Sequence, residues 1–350
     1  MLVATTVARE QITFTDVPPP QPQPGSAVIA IDNVTLCGTD VHIWADDYAS
    51  ELPLIQGHEI VGRVAALDPQ DEGGSWEVGN QVAVNPMIYC GSCHACRAGR
   101  ENACAHMRVL GCHTDGAFQE ELLVPLEKLH RVPEGVPMEI AALSEPISIA
   151  TQAVNRSAAA SGDKVVVIGC GPIGLFTTLR LNALGADVLS VDRMQSRVEM
   201  ARRFGASAVQ LAPSDRLWPS PEQREAVAAW TDGQGPAVVI EAAGVPGSLE
   251  AALDVVANAG RVVCVGISNQ VAQLSMRTLP YKEIDLLGSR NSLHLIPDAL
   301  KLIEQFPELT GSLITHRFPL RELDAALRLT ASGTEGIGKI AIDVSQPGQR

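Results

Sequence analysis

The chain has 350 residues, 46% hydrophobic and 19% charged, with 40 acidic and 26 basic side chains and a formal net charge of −14. That length allows two domains with a sizeable core. The acidic balance, with no basic run to offset it, excludes a nucleic-acid partner, because phosphate binding rests on clustered Lys and Arg.

The N-terminal stretch MLVATTVAREQ has no positive region followed by an apolar core, so no signal peptide is expected. The proline-rich run 17–25, VPPPQPQPG, is too stiff and too poor in N–H donors for a helix or a central strand. From 26 to about 133, short β-like runs alternate with Gly and Pro breaks: AVIAIDNV, EIVGRVAAL, NQVAVNP and FQEELLVP. They predict a β-rich, barrel-like unit. A helical pattern follows over 137–154, with a kink expected at Pro146.

At Asp163 the pattern changes to a buried strand, a glycine turn, a helix ended by Gly185 and a second strand. A helix over 195–204, a short strand over 208–210, the strand PAVVIEAAG, the helix SLEAALDVVANAG and the strand RVVCVGI continue the alternation. Strand and helix at this spacing predict a parallel, doubly wound sheet. Beyond about Gly288 come the helices LIPDALKLIEQF and LRELDAALRLTASG and a last strand, KIAIDV. No apolar run reaches the roughly 18 residues of a membrane span, so a cytoplasmic protein is expected.

Three groups of residues carry chemistry. Gly169, Gly171 and Gly174 fit G-x-G-x-x-G between an apolar strand and a helix. Such glycines let the backbone approach a pyrophosphate at a helix N-terminus. Asp192 ends the next strand, where a carboxylate would bond an adenosine ribose diol and repel a 2′-phosphate, favouring NAD over NADP. The adjacent Arg193 could instead accept that phosphate.

Cys90, Cys93, Cys96 and Cys104 form C-x2-C-x2-C-x7-C. Four thiolates make a closed structural zinc site; disulfides are the rival pairing, disfavoured in a reducing compartment. Cys37 in LCGTDVH, His58 and Glu59 in QGHEIVG, and Glu145 in LSEPIS supply a sulfur, an imidazole and carboxylates. That is the ligand mix of an open catalytic zinc site, although spacing alone does not show that they converge.

CGTDVH, GHEIVG, the four-cysteine lobe, EP, GCGPIG and Asp192 occur in the order and at the spacing of one family. The chain resembles the zinc-containing medium-chain dehydrogenases, the alcohol and sorbitol dehydrogenase group. The resemblance spans the whole chain and implies an α/β protein: a GroES-like β-barrel catalytic domain with an inserted Rossmann doubly wound parallel sheet. The implied domains are 1–153, with a structural zinc lobe at about 86–110, then 154–289 for the nucleotide and 290–350 returning to the catalytic domain.

Two zinc ions per subunit are implied, one held by the lobe and one by Cys37, His58 and Glu145, with Glu59 beside it or exchanging. Glutamate as third ligand, followed by Pro146, places the chain nearer the polyol branch. The resemblance gives Thr39 contact with the substrate oxygen and makes His42 the group that passes the proton to solvent. It assigns Gly169, Gly171, Pro172, Ile173, Gly174, Asp192, Arg193, Arg197, Val265 and Arg290 to the cofactor, with Arg290 also near substrate. The implied activity is hydride transfer from a secondary alcohol of a polyol, sugar or sugar acid to NAD.

Asn291 follows Arg290 where sorbitol dehydrogenases often carry an aromatic residue, which favours a sugar acid held through its carboxylate. A cyclitol or another biosynthetic alcohol is the alternative. A zinc-free enone reductase and a non-catalytic zinc adaptor fit the retained ligands, Thr39 and His42 less well. Trp44, Tyr48 and Phe118 are the expected pocket walls, and Cys112 has no assigned role. A homodimer or homotetramer is implied, paired through a sheet edge near RVVCVGIS.

Overall fold

The computed structural model describes residues 1–71, 74–212 and 218–345. The chain divides into two compact units, Met1–Glu145 with Ile296–Arg350, and Pro146–Leu295, residues 346–350 lying outside the described part. The first division falls before Val154 because one helix, Ser144–Ser157, runs across it; the second falls after Ser289, just ahead of the helix Ile296–Gln305.

In the first unit, strands β1 (Leu2–Ala8) and β2 (Gln11–Asp16) form an antiparallel hairpin that the sequence pattern did not reveal. The main sheet uses β3 (Ser26–Thr35), β4 (Glu59–Leu67) and β5 (Gln81–Val84). A two-strand ribbon of β6 (Met87–Ile88) and β7 (Arg108–Val109) carries the cysteine lobe, and β8 (Glu121–Pro125) and β9 (Leu129–Arg131) return to the main sheet.

The second unit supplies β10 (Lys164–Ile168), β11 (Asp187–Asp192), β12 (Ala208–Leu211), β13 (Val238–Glu241), β14 (Arg261–Cys264) and β15 (Asp285–Gly288). The last two strands, β16 (Ile314–Pro319) and β17 (Lys339–Asp343), rejoin the first sheet.

That first sheet runs β16-β17-β3-β4-β5-β9, with β8 also paired to β3. Alternate residues of each strand point to one side: Ile60 and Val64, Val82 and Val84, Leu122 and Val124, Ile340 and Ile342 all enter a single core. The helix Leu323–Ala331 covers it with Leu323, Ala326 and Leu327, one stripe at i, i+3, i+4. Helix was expected throughout 137–154, kinked at Pro146. Instead the chain forms two helices, Met138–Ala141 and Ser144–Ser157, and Pro146 sits in the first turn of the second, where a missing N–H costs nothing.

The second sheet is parallel throughout, ordered β12-β11-β10-β13-β14-β15. Both its faces are buried, and the strand period of two divides its residues between them. Val166, Ile168, Val239 and Val262 enter one core; Val165, Val167, Val238 and Val263 enter the other. The chain first winds outward from β10 to β12, then returns to β13 on the other side, so the order reverses beside β10. A crevice opens at such a reversal. RVVC lies inside this sheet, not at its edge as expected: the short strand β15, unread in the sequence, pairs beyond it. No helix among the described residues is long and apolar enough to cross a membrane.

Candidate active site

Three glycines build the seat of His58. Gly57 has φ +95°, and a Cβ on Gly111 or Gly116 would come within 2.4 and 2.3 Å of the Gly57 carbonyl oxygen. The loop carrying Gly111 and Gly116 therefore lies directly on the backbone that leads into His58, tied there by Gly116 N–H to Ile55 O (2.7 Å) and Ala117 N–H to Gly57 O (2.9 Å).

Opposite, Cys37 takes an extended conformation and caps the short helix Gly38–Trp44. Its N–H donates to Asp40 Oδ2 at 2.8 Å, which closes a capping box. Asp40 is fully buried, and its Oδ1 lies 3.5 Å from His58 Nδ1. Cys112 Sγ lies 3.6 Å from the same nitrogen. Nδ1 is thus engaged, and Nε2 is the nitrogen left for an ion.

The ligand atoms of Cys37, His58 and Glu59 lie within 4.8 Å of one another. Sulfur, imidazole and carboxylate together suit zinc, and a carboxylate behind the histidine is the usual means of fixing such a ring. Glu145, expected as a ligand, falls outside this compact trio. It sits in the first turn of Ser144–Ser157, close enough for its charge to be coupled to His58, Glu59 and Lys339. Burial pushes its carboxyl up to about 7, against the pull of His58. Glu59 accepts from Lys339 Nζ at 2.5 Å and from the Thr35 hydroxyl; Lys339 also donates to Leu36 O at 2.7 Å. Burial works against that ammonium, but the charges of Glu59, Cys37 and Glu145 outweigh it and raise its pKa.

Thr39 lies beside the trio, its hydroxyl 3.7 Å from Cys37 Sγ. His42, one turn further along the helix, is exposed, with Nδ1 2.8 Å from Asp47 Oδ1. Two of the three expected pocket walls are core instead. Trp44 and Phe118 are buried at 4% and 0% exposure among the barrel side chains, Phe118 packed over Gly57; only Tyr48 stays exposed. Aromatic content alone does not separate a lining ring from a packed one.

In the lobe, sulfur–sulfur distances are 3.5 Å for Cys93–Cys96, 3.9 Å for Cys93–Cys104 and 3.5 Å for Cys104–Cys90. Tetrahedral zinc with bonds of about 2.3 Å would set sulfurs about 3.8 Å apart, whereas a disulfide needs about 2.05 Å. All four are free thiols, and backbone N–H groups of Cys90 and His106 point at Cys104 Sγ. Hydrogen bonds from the Ser92 and Cys93 backbone pull the Cys90 thiol down to about 6, ready to ligate. The lobe fits a closed zinc site.

In the second unit the glycines of the turn have different reasons. A Cβ on Gly169 would meet Ala243 N at 2.8 Å, and one on Gly174 would meet Gly169 O at 1.8 Å, whereas Gly171 has nothing within 4 Å. No protein atom requires glycine at 171, and the open space lies where a pyrophosphate would approach the cap of the helix Pro172–Leu184, whose first two residues are Pro172 and Ile173.

The turn borders a cavity of about 830 Å³, also lined by Asp192, Arg193, Arg197 and Trp218. Asp192 accepts the Cys170 N–H at 2.7 Å and the Met194 N–H at 2.9 Å, with an Arg197 guanidinium nitrogen 3.9 Å away. Across the reversal point, Glu241 accepts from Ala243 N–H, Gly244 N–H and the Ser248 hydroxyl, and the Val265 N–H bonds the Glu241 carbonyl. Arg290 is exposed two residues after β15.

Sequence reasoning missed Asp40, Lys339 and Glu241, and singled out Cys112 without giving it a role. Only Asp40 left a local signal, an acid three residues after a capping position. The others become visible through strand register and loop packing.

Residues 23–134 match the family model "Alcohol dehydrogenase GroES-like domain", and 172–305 match "Zinc-binding dehydrogenase". The chain is 34% identical over 271 residues to 2-dehydro-3-deoxy-L-galactonate 5-dehydrogenase of Pseudoalteromonas atlantica, covering 77% of each. It is 36% identical over 326 residues to L-threonine 3-dehydrogenase of Pyrococcus horikoshii, covering 91% of each. Among solved structures it resembles RspB of E. coli CFT073 complexed with NADH, with a TM-score of 0.88 at 28% identity over 98% of this chain and 99% of that one. With a trio of ligating side chains in one unit, a nucleotide turn in the other and relatives matched over most of their length, the chain belongs to the zinc-containing alcohol dehydrogenase family of medium-chain dehydrogenases.

Proposed function

We propose that this protein oxidises a secondary alcohol on a small carboxylate-bearing molecule, a sugar acid, with NAD as acceptor. The convergence of Cys37, His58 and Glu59 beside the Thr39 hydroxyl carries the reading. Bound zinc would supply a Lewis acid for the alcohol oxygen, and nicotinamide the hydride acceptor.

The chain's own residues do the rest. Cys37 and His58 hold the ion, with Glu145 and Glu59 the candidate carboxylate ligands. The Thr39 hydroxyl takes the hydrogen bond from the substrate hydroxyl, and exposed His42 releases the proton to water. Gly169, Gly171 and Gly174 with the N-terminal turn of Pro172–Leu184 cradle the pyrophosphate. Asp192 takes the ribose diol with Arg197 beside it, and Val265 and Arg290 flank the nicotinamide end.

The galactonate relative and the threonine relative are both named for oxidation of a secondary hydroxyl on a molecule bearing a carboxylate. That supports Arg290 with Asn291 as the carboxylate clamp. We assign the two units the roles of catalytic and nucleotide domains, place the enzyme in the cytoplasm, where eight free thiols persist, and read it as a homo-oligomer joined along β15. That strand has a neighbour on one side only, and Ile267, Val271, Met276 and Tyr281 lie exposed in its unit.

The test is NADH formation with NAD and a panel of aldonates, L-threonine and neutral polyols, with and without a chelator. A chelator-sensitive rate on aldonates supports the reading. Turnover of L-threonine alone would move the substrate to hydroxy amino acids, and turnover of polyols alone would remove the carboxylate clamp.

A further inference from the structure

Cys112 is a buried thiol with no place in the chemistry above. Its Sγ lies 3.6 Å from His58 Nδ1, and Asp40 Oδ1 lies 3.5 Å from the same nitrogen. The Asp40 contact is long for a nitrogen–oxygen hydrogen bond, which clusters near 2.9–3.0 Å, whereas 3.6 Å is an ordinary distance for a hydrogen bond to sulfur. Asp40 Oδ1, fully buried, has no hydrogen-bond partner among the described residues. Two contacts from different residues hold that nitrogen in place more firmly than either would alone.

The backbone fixes where the thiol goes. Gly111 N–H bonds Thr114 O at 2.7 Å, the Ser50 hydroxyl bonds Cys112 O, and Gly111 and Gly116 press on the Gly57 carbonyl. The residue before His58 and the loop bearing Cys112 are therefore packed directly against each other. Cys112 also packs with Ile43 and Leu54, so its presence could reflect packing alone. Valine would serve packing equally well, which separates the two roles.

We propose that Cys112 is a positioning residue for His58: with Asp40 it flanks Nδ1 and orients the ring so that Nε2 faces Cys37 and Glu59. The inference rests on the metal-site reading above. Partners behind a ligating histidine are worth about 10–100-fold in metal affinity.

The experiment measures transfer of zinc from the holoenzyme to a chromogenic chelator, with the lobe ion as internal reference, for Cys112→Ala, Cys112→Val and Cys112→Ser. Absorption spectra of the cobalt(II)-substituted proteins provide a second readout. The expected result is an affinity about tenfold weaker at one site in the Ala and Val variants, milder in Ser, with a displaced cobalt band. Combining Cys112→Val with Asp40→Asn should be non-additive, because both act on one nitrogen. Zinc affinity and cobalt spectrum of Cys112→Val within twofold of the unmodified protein would overturn the proposal and leave Cys112 as packing. The control His58→Ala separates the two claims: if it keeps both ions, the metal site itself is misplaced.

Discussion

Lys339 Nζ and Glu59 Oε1 meet at 2.5 Å with both side chains out of water, 280 residues apart in sequence. Removing one partner of such a pair leaves a buried charge alone, at a cost of about 3–5 kcal/mol. Lys339→Met should therefore lower unfolding free energy by about that amount, and adding Glu59→Gln should restore part of it. Denaturant unfolding of the single and double variants decides this; an additive double variant would show that the two charges are not coupled.

The two cysteine groups should separate cleanly. Cys37→Ser is expected to lose one zinc and nearly all activity with little change in melting temperature. Cys93→Ser should lose the other zinc and destabilise the lobe, since folding and metal binding are coupled at a closed site. Metal analysis and thermal melts check both, and a Cys93 variant as stable as the unmodified protein would refute the structural zinc.

At the adenosine end, Asp192→Asn removes the charge and keeps the shape that holds the Cys170 and Met194 N–H groups. Discrimination against NADP should fall by about tenfold or more, one charged hydrogen bond being worth about 1.5 kcal/mol. The measurement is the ratio of kcat/KM for NAD and NADP. An unchanged ratio would hand specificity to another group.

A pH effect follows from Glu139 and Arg317, bonded in bidentate fashion at 2.7 and 2.8 Å. The guanidinium holds the Glu139 carboxyl below its ordinary value against the pull of burial. A depressed carboxyl stabilises the fold above its unfolded pKa, about 4.3, and loses that contribution as pH falls through the folded value. Arg317→Ala should thus cost a few tenths to about 1 kcal/mol at pH 7, the range for a largely exposed pair, with the difference closing below about pH 4. Unfolding curves at pH 7 and pH 3.5 test the sign.

Gly111→Ala must place a Cβ 2.4 Å from the Gly57 carbonyl oxygen at a left-handed φ of +77°. A loss of about 1–3 kcal/mol is expected from overpacking, accompanied by weaker zinc retention through a displaced His58. A Gly111 variant with normal stability and normal metal content would mean the loop has slack.

The glycine turn, the four cysteines and the strand–helix alternation were readable because each depends on near neighbours in sequence. Asp192 at the end of a strand gave its place away in the same manner. Lys339 read only as the start of KIAIDV, since its partner is set by β17 lying antiparallel to β3, a register no local pattern encodes. Trp44 and Phe118 looked like pocket walls because composition does not tell which face of a strand or helix a ring occupies. Strand β15, DLLG, is too short for a period to show, so RVVC was taken for the edge.

The path of the chain also imposes an order of assembly during synthesis. The second unit is one continuous segment, Pro146–Leu295, and can close once it has left the ribosome. The first sheet cannot, because β16 and β17 emerge only after that segment, and with them Lys339. Until then Glu59 lacks the ammonium that pairs with it in the folded protein.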